Sequence, residues 1–132
     1  MAEAKTRPTG ASVEAFLRSV PDERRRQECY GLVGLMQNLV GEPARMWGES
    51  TVGFGSRNAG SEGATFRLGF SPRKSEMSIH LGCSFEGFEP TLARLGKHRL
   101  GKGCVYVKSF DDINIGVLRQ LLLDANVRVK AG

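Results

Sequence analysis

The chain has 132 residues, of which 40% are hydrophobic and 25% are charged, and its formal net charge is +5. This length predicts one ordinary domain, large enough to bury one core and too small for two. No run of about 20 apolar residues occurs, which excludes a membrane-spanning helix. The first residues lack the apolar stretch of a secretory signal, so we expect a cytoplasmic protein with a flexible tail at residues 1–11.

Two helices are predicted at the start of the chain. Ser12 is a good N-cap, and the apolar residues from Val13 to Val20 recur at helical spacing. Pro21 suits the first turn of a second helix, and Gly41 ends it.

The middle of the chain changes to the two-residue period of half-buried strands. Residues 51–55 predict a short strand, and residues 56–63 predict a hairpin loop because they are rich in Gly and Ser. Phe66, Leu68 and Phe70 then alternate with other residues, which predicts that they share one face of a strand. After a turn at residues 71–74, residues 77–81 predict a further strand. Connections this short require antiparallel pairing.

The last third of the chain predicts a brief helix from Pro90, a basic loop at residues 97–102, a strand at 104–108 and a final helix. Arg128 and Lys130 lie near the end of that helix, where its dipole favours cations. The fold class is therefore α+β, with an antiparallel β-sheet of about five strands packed against two N-terminal helices and a C-terminal helix. We expect one domain over residues 12–132.

Three segments together resemble the YdhG-like family, also called domain of unknown function 1801. They are MWGESTVGFG at residues 46–55, FSPRK at 70–74 and LGKHRLGKGC at 95–104. The resemblance begins near Ser12, and it implies an antiparallel sheet flanked by helices that is broadly frataxin-like. It implies no established reaction. Between Gly55 and Phe66 the family often carries aromatic residues, whereas this chain is polar and rich in Gly.

Basic residues in the two loops are the best functional candidates. Glycines allow close approach of backbone N–H groups to a ligand, and Lys and Arg bind phosphate or carboxylate with charge-assisted hydrogen bonds. We therefore expect a non-enzymatic module that binds a small anionic ligand or an acidic protein partner in one pocket between the loops. The candidate ligand-binding residues are Arg73, Lys74, Lys97, His98 and Lys102, with Trp47 and Phe54 as apolar walls. The alternative interpretation is that these are solvated loop charges, paired with Glu76, Glu86 or Asp111.

Two other functions are compatible with the residues. Likeness to frataxin suggests an iron-binding chaperone, whose oxygen ligands would come from Asp22, Glu23 and Glu28 or from Asp111 and Asp112. The run Arg24 to Arg26 suggests weak nucleic-acid binding, although no recognition motif supports that partner and local salt bridges would explain the run.

Catalytic and metal chemistry have little support in the sequence. Cys29, Cys83 and Cys104 match no disulfide framework or metal motif, and they are expected to be buried free thiols. His98 and Cys104 could pair as base and nucleophile, but Cys104 begins an apolar strand and is expected to point inward. We predict no catalytic residue, no metal and no cofactor, and the oligomeric state stays open.

Overall fold

The structure is a computed structural model that describes residues 9–58 and 64–131. Its helices are α1 (Val13–Arg18), α2 (Glu23–Val40), α3 (Glu89–Leu95) and α4 (Ile115–Ala131), with a short 3-10 helix at Phe110–Asp112. Its strands are β1 (Ala44–Trp47), β2 (Thr51–Phe54), β3 (Arg57–Asn58), β4 (Ala64–Thr65), β5 (Leu68–Pro72), β6 (Met77–His80), β7 (Arg99–Gly101) and β8 (Cys104–Val107).

Six of the strands form an antiparallel sheet in the order β1-β2-β5-β6-β8-β7. Strands β3 and β4 pair separately as a short antiparallel ladder. The predicted α+β class is confirmed, and the number of strands in the main sheet is close to the five expected.

Alternation along the strands gives the sheet two different faces. Residues such as Phe70, Ile79 and Val105 point to the side of α2 and α4, where they join the hydrophobic core with Leu32 and Leu118. The residues between them in sequence point to the other face of the sheet. Burial of the first set against the long helices provides the main stabilisation of the fold.

Two helices begin at residues whose side chains cap them, whereas Pro21 precedes the expected first turn of α2. The Ser12 side chain accepts a hydrogen bond of 3.0 Å from the backbone N–H of Ala15 at the start of α1. The Asn114 side chain accepts one of 3.1 Å from the N–H of Val117, so Asn114 is the residue that caps α4. These contacts satisfy N–H groups that have no partner within the helix.

Three local predictions need correction. Strand β1 was not expected, and residues 99–101 form edge strand β7 where a loop was predicted. Phe66 does not share the face of Leu68 and Phe70, because the ladder between β2 and β5 is interrupted at Gly55, where φ is +69°. Phe66 instead lies over the face of the sheet that α2 and α4 leave uncovered.

The predicted N-terminal tail lies largely outside the described residues, as do residues 59–63 of the predicted hairpin loop. Thr9 is attached to the sheet, since its N–H donates a hydrogen bond of 2.7 Å to the carbonyl of Met46. Among the described helices, none combines the length and the apolar character that crossing a membrane requires.

Candidate anion-binding site

The predicted binding residues line separate cavities. Arg73 and Lys74 lie at the rim of a cavity of about 660 Å³ between α1 and the β5–β6 turn. Lys97 and His98 line a smaller cavity of about 230 Å³, which also contains Glu76. The single pocket expected between the two loops is therefore not formed.

Sheet topology explains the separation. Strands β6 and β7 are both antiparallel to β8, so the residues before each of them lie at the same end of the sheet. Strand β8 lies between them, which places the two segments about 10 Å apart. Glu76, which the alternative interpretation named as a pairing residue, forms an ion pair in this gap with Arg99, which is not one of the candidate binding residues.

The two apolar walls are also not available at that end. Phe54 is completely buried on the helix-facing side of the sheet, so it belongs to the core and cannot line a ligand site. Trp47 is 4% exposed and packs edge to face against Phe66, with ring centroids 5.6 Å apart. Trp47 lines a different cavity with Arg45 and Arg67.

Lys102 lies at the opposite end of the sheet, in the turn between β7 and β8. Several cationic side chains lie close together at this end. A cavity of about 560 Å³ there is lined by four cationic side chains, together with Gly82, Cys83 and two other neutral residues. The four are Arg57, Arg67, Arg128 and Lys130.

No carboxylate occurs among the described residues that line this cavity. Arg128 donates a hydrogen bond of 3.2 Å to the carbonyl of Ser84, and its guanidinium lies 4.0 Å from the centre of the Phe88 ring. Arg67 donates one of 3.3 Å to the carbonyl of Val40. The Nε atoms of Arg57 and Arg67 are buried, and within the described part of the chain they have no hydrogen-bond partner. Positive charges that lie close together repel one another, and a buried donor without a partner is unfavourable. An anion in the cavity would reduce the repulsion and accept hydrogen bonds from the arginines.

A second cavity, of about 500 Å³, adjoins the first and shares Arg57, Gly82 and Cys83 with it. Lys102 adds a further cation, and His80 and Cys104 lie on the same wall. Burial raises the pKa of the Cys83 thiol, while the charges of Arg128 and Arg57 act in the opposite direction. Cys83 and Cys104 are half-buried and only Cys29 is in the core, so the expectation of three buried thiols is correct for Cys29 alone.

Glycines form the floor of the uncovered sheet face beside these cavities. A Cβ atom on Gly69 would lie 2.8 Å from the Phe66 ring, and one on Gly53 would lie 2.6 Å from the Trp47 ring. Only glycine permits the aromatic rings to lie this close to the strands. The Phe66 ring in turn packs edge to face on His80, with centroids 5.5 Å apart.

A row of polar side chains crosses the same face of the sheet. Thr51 and Ser71 are joined by a hydrogen bond of 2.7 Å, and Ser71 Oγ lies 3.5 Å from His80 Nε2. On the other side of the ring, Nδ1 of His80 lies 3.2 Å from the sulfur of Cys104. Burial, and secondly the positive charge of Arg73, lower the pKa of His80 to about 4. His80 is therefore neutral at pH 7, and one of its nitrogens accepts a hydrogen bond.

The position of Cys104 corrects the sequence analysis in two ways. Val105 and Val107 point into the core, so Cys104 points to the opposite face and does not point inward as expected. Its partner is His80, whereas Nδ1 of His98 lies 2.7 Å from the carbonyl oxygen of Gly96.

Each of the three arginines at the start of α2 binds another group of the protein. Arg25 and Glu28 form a buried ion pair of 2.6 Å, and Arg24 pairs with Asp111 at 2.7 Å. Arg26 donates a hydrogen bond of 2.6 Å to the carbonyl of Val20. The expected local salt bridge is therefore present for Arg25 alone, since Arg24 pairs with a residue distant in sequence and Arg26 binds a backbone carbonyl.

The carboxylates suggested for iron do not form a ligand set in the described residues. Glu28 already binds Arg25, and its second oxygen accepts a hydrogen bond of 2.9 Å from the N–H of Phe110. Across residues 9–58 and 64–131, no group of three or more His, Cys, Asp or Glu side chains could hold a metal ion.

Comparisons with protein-family models, with curated proteins and with solved structures find no match to this chain. The interpretation of the candidate site is therefore based on the geometry of this chain alone. Sequence reasoning missed Arg57, Arg67, Arg128 and Lys130 as a group because they come from three distant segments. The one available signal was that Arg57 and Arg67 flank the glycine-rich hairpin.

Proposed function

We propose that this protein binds a small anionic ligand, carrying phosphate or carboxylate groups, at the cationic cavity formed by Arg57, Arg67, Arg128 and Lys130. The observation that supports this proposal is the gathering of four cationic side chains around one cavity with no carboxylate among the described lining residues. The chemical class of ligand is the one that the basic composition led us to expect. Its location is at the other end of the sheet.

The volume of the cavity favours a small ligand over an acidic protein. The cavity volume of about 560 Å³ falls in the range of about 300–1,000 Å³ that is typical of small-molecule sites. An arginine guanidinium can bind the two oxygens of one phosphate or carboxylate at once, and three arginines around one cavity suit a ligand with several anionic oxygens. The resemblance to the YdhG-like family and the cytoplasmic location stay predictions.

Isothermal titration with pyrophosphate and with citrate, at constant ionic strength, tests the proposal. We expect saturable binding to one site. The double variant Arg57→Gln, Lys130→Gln should weaken that binding at least tenfold, which is about 1.4 kcal/mol.

The matched control is the double variant Arg73→Gln, Lys97→Gln. It removes the same number of positive charges from the two cavities at the other end of the sheet. We expect the affinity of this variant for the two anions to stay within about twofold of that of the unmodified protein, because exposed charges at the opposite end of the sheet are screened by salt. The absence of binding by either anion, or equal weakening in the two double variants, would contradict the proposal.

A further inference from the structure

The pair formed by Cys104 and His80 has a geometry that supports chemistry as well as binding. The sulfur of Cys104 lies 3.2 Å from Nδ1 of His80, within hydrogen-bond distance for a thiol. Both side chains line the second cavity, so a small molecule in that cavity can reach the sulfur. A nucleophile next to a base that a third group orients is the arrangement that activates thiols in proteins.

The row of polar side chains provides a partner for each nitrogen of the His80 ring. If the thiol donates its proton to Nδ1, then Nε2 carries the ring proton and faces Ser71 Oγ at 3.5 Å. Ser71 is completely buried and is held by Thr51 at 2.7 Å. In this tautomer the unprotonated nitrogen of His80 is directed at the sulfur of Cys104, where it can accept the thiol proton.

The charges around the pair are positive. Arg57 and Lys102 line the same cavity, Arg73 exerts its charge on His80 from the β5–β6 turn, and Cys83 is the other titratable group there. The described residues lining this cavity include no carboxylate. A reactant with negative charge is therefore favoured over a neutral one of the same size.

We propose that Cys104 is a nucleophilic thiol that undergoes exchange with a small anionic disulfide, with His80 as its proton acceptor. The sulfur of Cys104 attacks one sulfur of the disulfide, a new S–S bond forms and the original S–S bond breaks. The thiol proton passes to His80 Nδ1 and then to the leaving thiolate. Cys104 is oxidised to a mixed disulfide, and the departing half of the reactant is reduced to a thiol. Acyl transfer would in addition need donors aligned on an oxyanion, so exchange is the simpler reaction for these groups.

The negative charge of the reactant rests on the proposed function, whereas the reactivity of the thiol does not. The test measures the rate at which two aromatic disulfides modify Cys104. One is the dianionic 5,5′-dithiobis(2-nitrobenzoate), and the other is the neutral 2,2′-dithiodipyridine. Peptide mass spectrometry identifies the modified cysteine, and the variant Cys83→Ser removes the neighbouring thiol.

The variant His80→Asn provides the decisive comparison, because its amide can still hydrogen bond to the thiol but does not accept its proton. We expect His80→Asn to react at least tenfold more slowly than the unmodified protein at about pH 6, which is within the usual size of general-base effects.

Cys29 reports whether each variant is folded. It is completely buried, and burial together with the Glu28 carboxylate raises its pKa to about 12 despite the opposing charge of Arg25. A folded variant leaves Cys29 unmodified. If His80→Asn does not fold, His80→Gln provides the same comparison, since its amide also forms hydrogen bonds without accepting the thiol proton.

Two results would overturn the inference. One is an equal rate in the unmodified protein and in folded His80→Asn, and the other is a mixed disulfide that forms on Cys83 and leaves Cys104 unmodified. Lys102→Gln should reduce the preference for the anionic reagent over the neutral one several-fold. A lack of any such preference, with the dependence on His80 intact, would contradict the proposed function and the choice of an anionic reactant. Loss of the dependence on His80 would contradict the thiol chemistry only.

Discussion

The surroundings of the His80 ring determine its charge state. Phe66 packs on one edge of its ring, Ser71 and Cys104 face its two nitrogens, and the resulting burial lowers its pKa to about 4. The charged form of the side chain is therefore disfavoured in the folded protein. The lowered pKa of His80 therefore affects the stability of the protein as well as the reactivity of the ring.

The free energy of unfolding should depend on pH through His80. Between about pH 4 and its ordinary pKa of 6.5, His80 is protonated in the unfolded chain and neutral in the folded one. Stability contributed by this residue is complete above pH 6.5 and is lost as the pH falls toward 4. Urea unfolding at about pH 4.5 and about pH 7 should show a loss of about 2–3 kcal/mol that is absent from His80→Asn.

Other groups that titrate over this interval are common to both proteins, so the difference between the two pH dependences is the relevant quantity. Parallel stability curves for the unmodified protein and His80→Asn would mean that His80 keeps its ordinary pKa in the folded state.

At the scale of elements, close contact between the central strands and the aromatic residues above them determines the uncovered sheet face. A methyl group on Gly69 would meet the Phe66 ring and the carbonyl of Val52, each at 2.8 Å. Gly69→Ala should therefore destabilise the protein by about 1–3 kcal/mol, since overpacking forces neighbouring atoms to shift. The midpoint of urea unfolding measures this change.

Gly31→Ala is the matched control in helix α2, where an added methyl group meets no atom within 4 Å. It should stabilise the protein by about 0.5–1 kcal/mol, because alanine loses less backbone entropy than glycine in a helix. Stabilisation of the protein by both substitutions would show that Phe66 does not lie on Gly69.

The elements with strong periodicity were the ones that the sequence predicted well. Helices α2 and α4 and strands β5 and β6 each place their large apolar side chains on the face that joins the core, and the spacing of those residues in the sequence reflects that arrangement. Strand β7 escaped prediction because it is an edge strand whose Leu100 is 44% exposed, so no alternation distinguishes it from a loop. Phe66 was assigned to the wrong face because its sequence spacing from Leu68 does not reveal the interruption at Gly55.

At the scale of the whole molecule, the two ends of the sheet differ in how their charges are arranged. At the end with the β5–β6 turn, Glu76, Asp112 and Asp22 accompany the predicted basic residues. At the other end, the cations of β3, the start of β5, the β7–β8 turn and the end of α4 meet around two adjoining cavities. Local sequence correctly indicated an excess of basic residues, but only the topology decides which of them meet.

Lys102 illustrates this limit. It belongs to the basic segment that the sequence analysis selected, yet β7 carries it to the opposite end of the sheet from Lys97. Arg128 and Lys130 were interpreted as cations at the end of a helix. That interpretation is compatible with their position and gives no indication that Arg57 and Arg67 lie beside them.

The central claim is that an anion binds among Arg57, Arg67, Arg128 and Lys130, and the arginine Nε–H signals in a proton–nitrogen NMR spectrum test it most directly. The Nε atoms of Arg57 and Arg67 are buried and lack a partner among the described residues, whereas that of Arg18 donates to Glu14 at 3.1 Å on an exposed surface. Titration with pyrophosphate at constant ionic strength should shift the Arg57 and Arg67 signals along one saturating curve and leave the Arg18 signal in place. Signals of Arg57 and Arg67 that do not move, or that move in parallel with Arg18, would contradict the account.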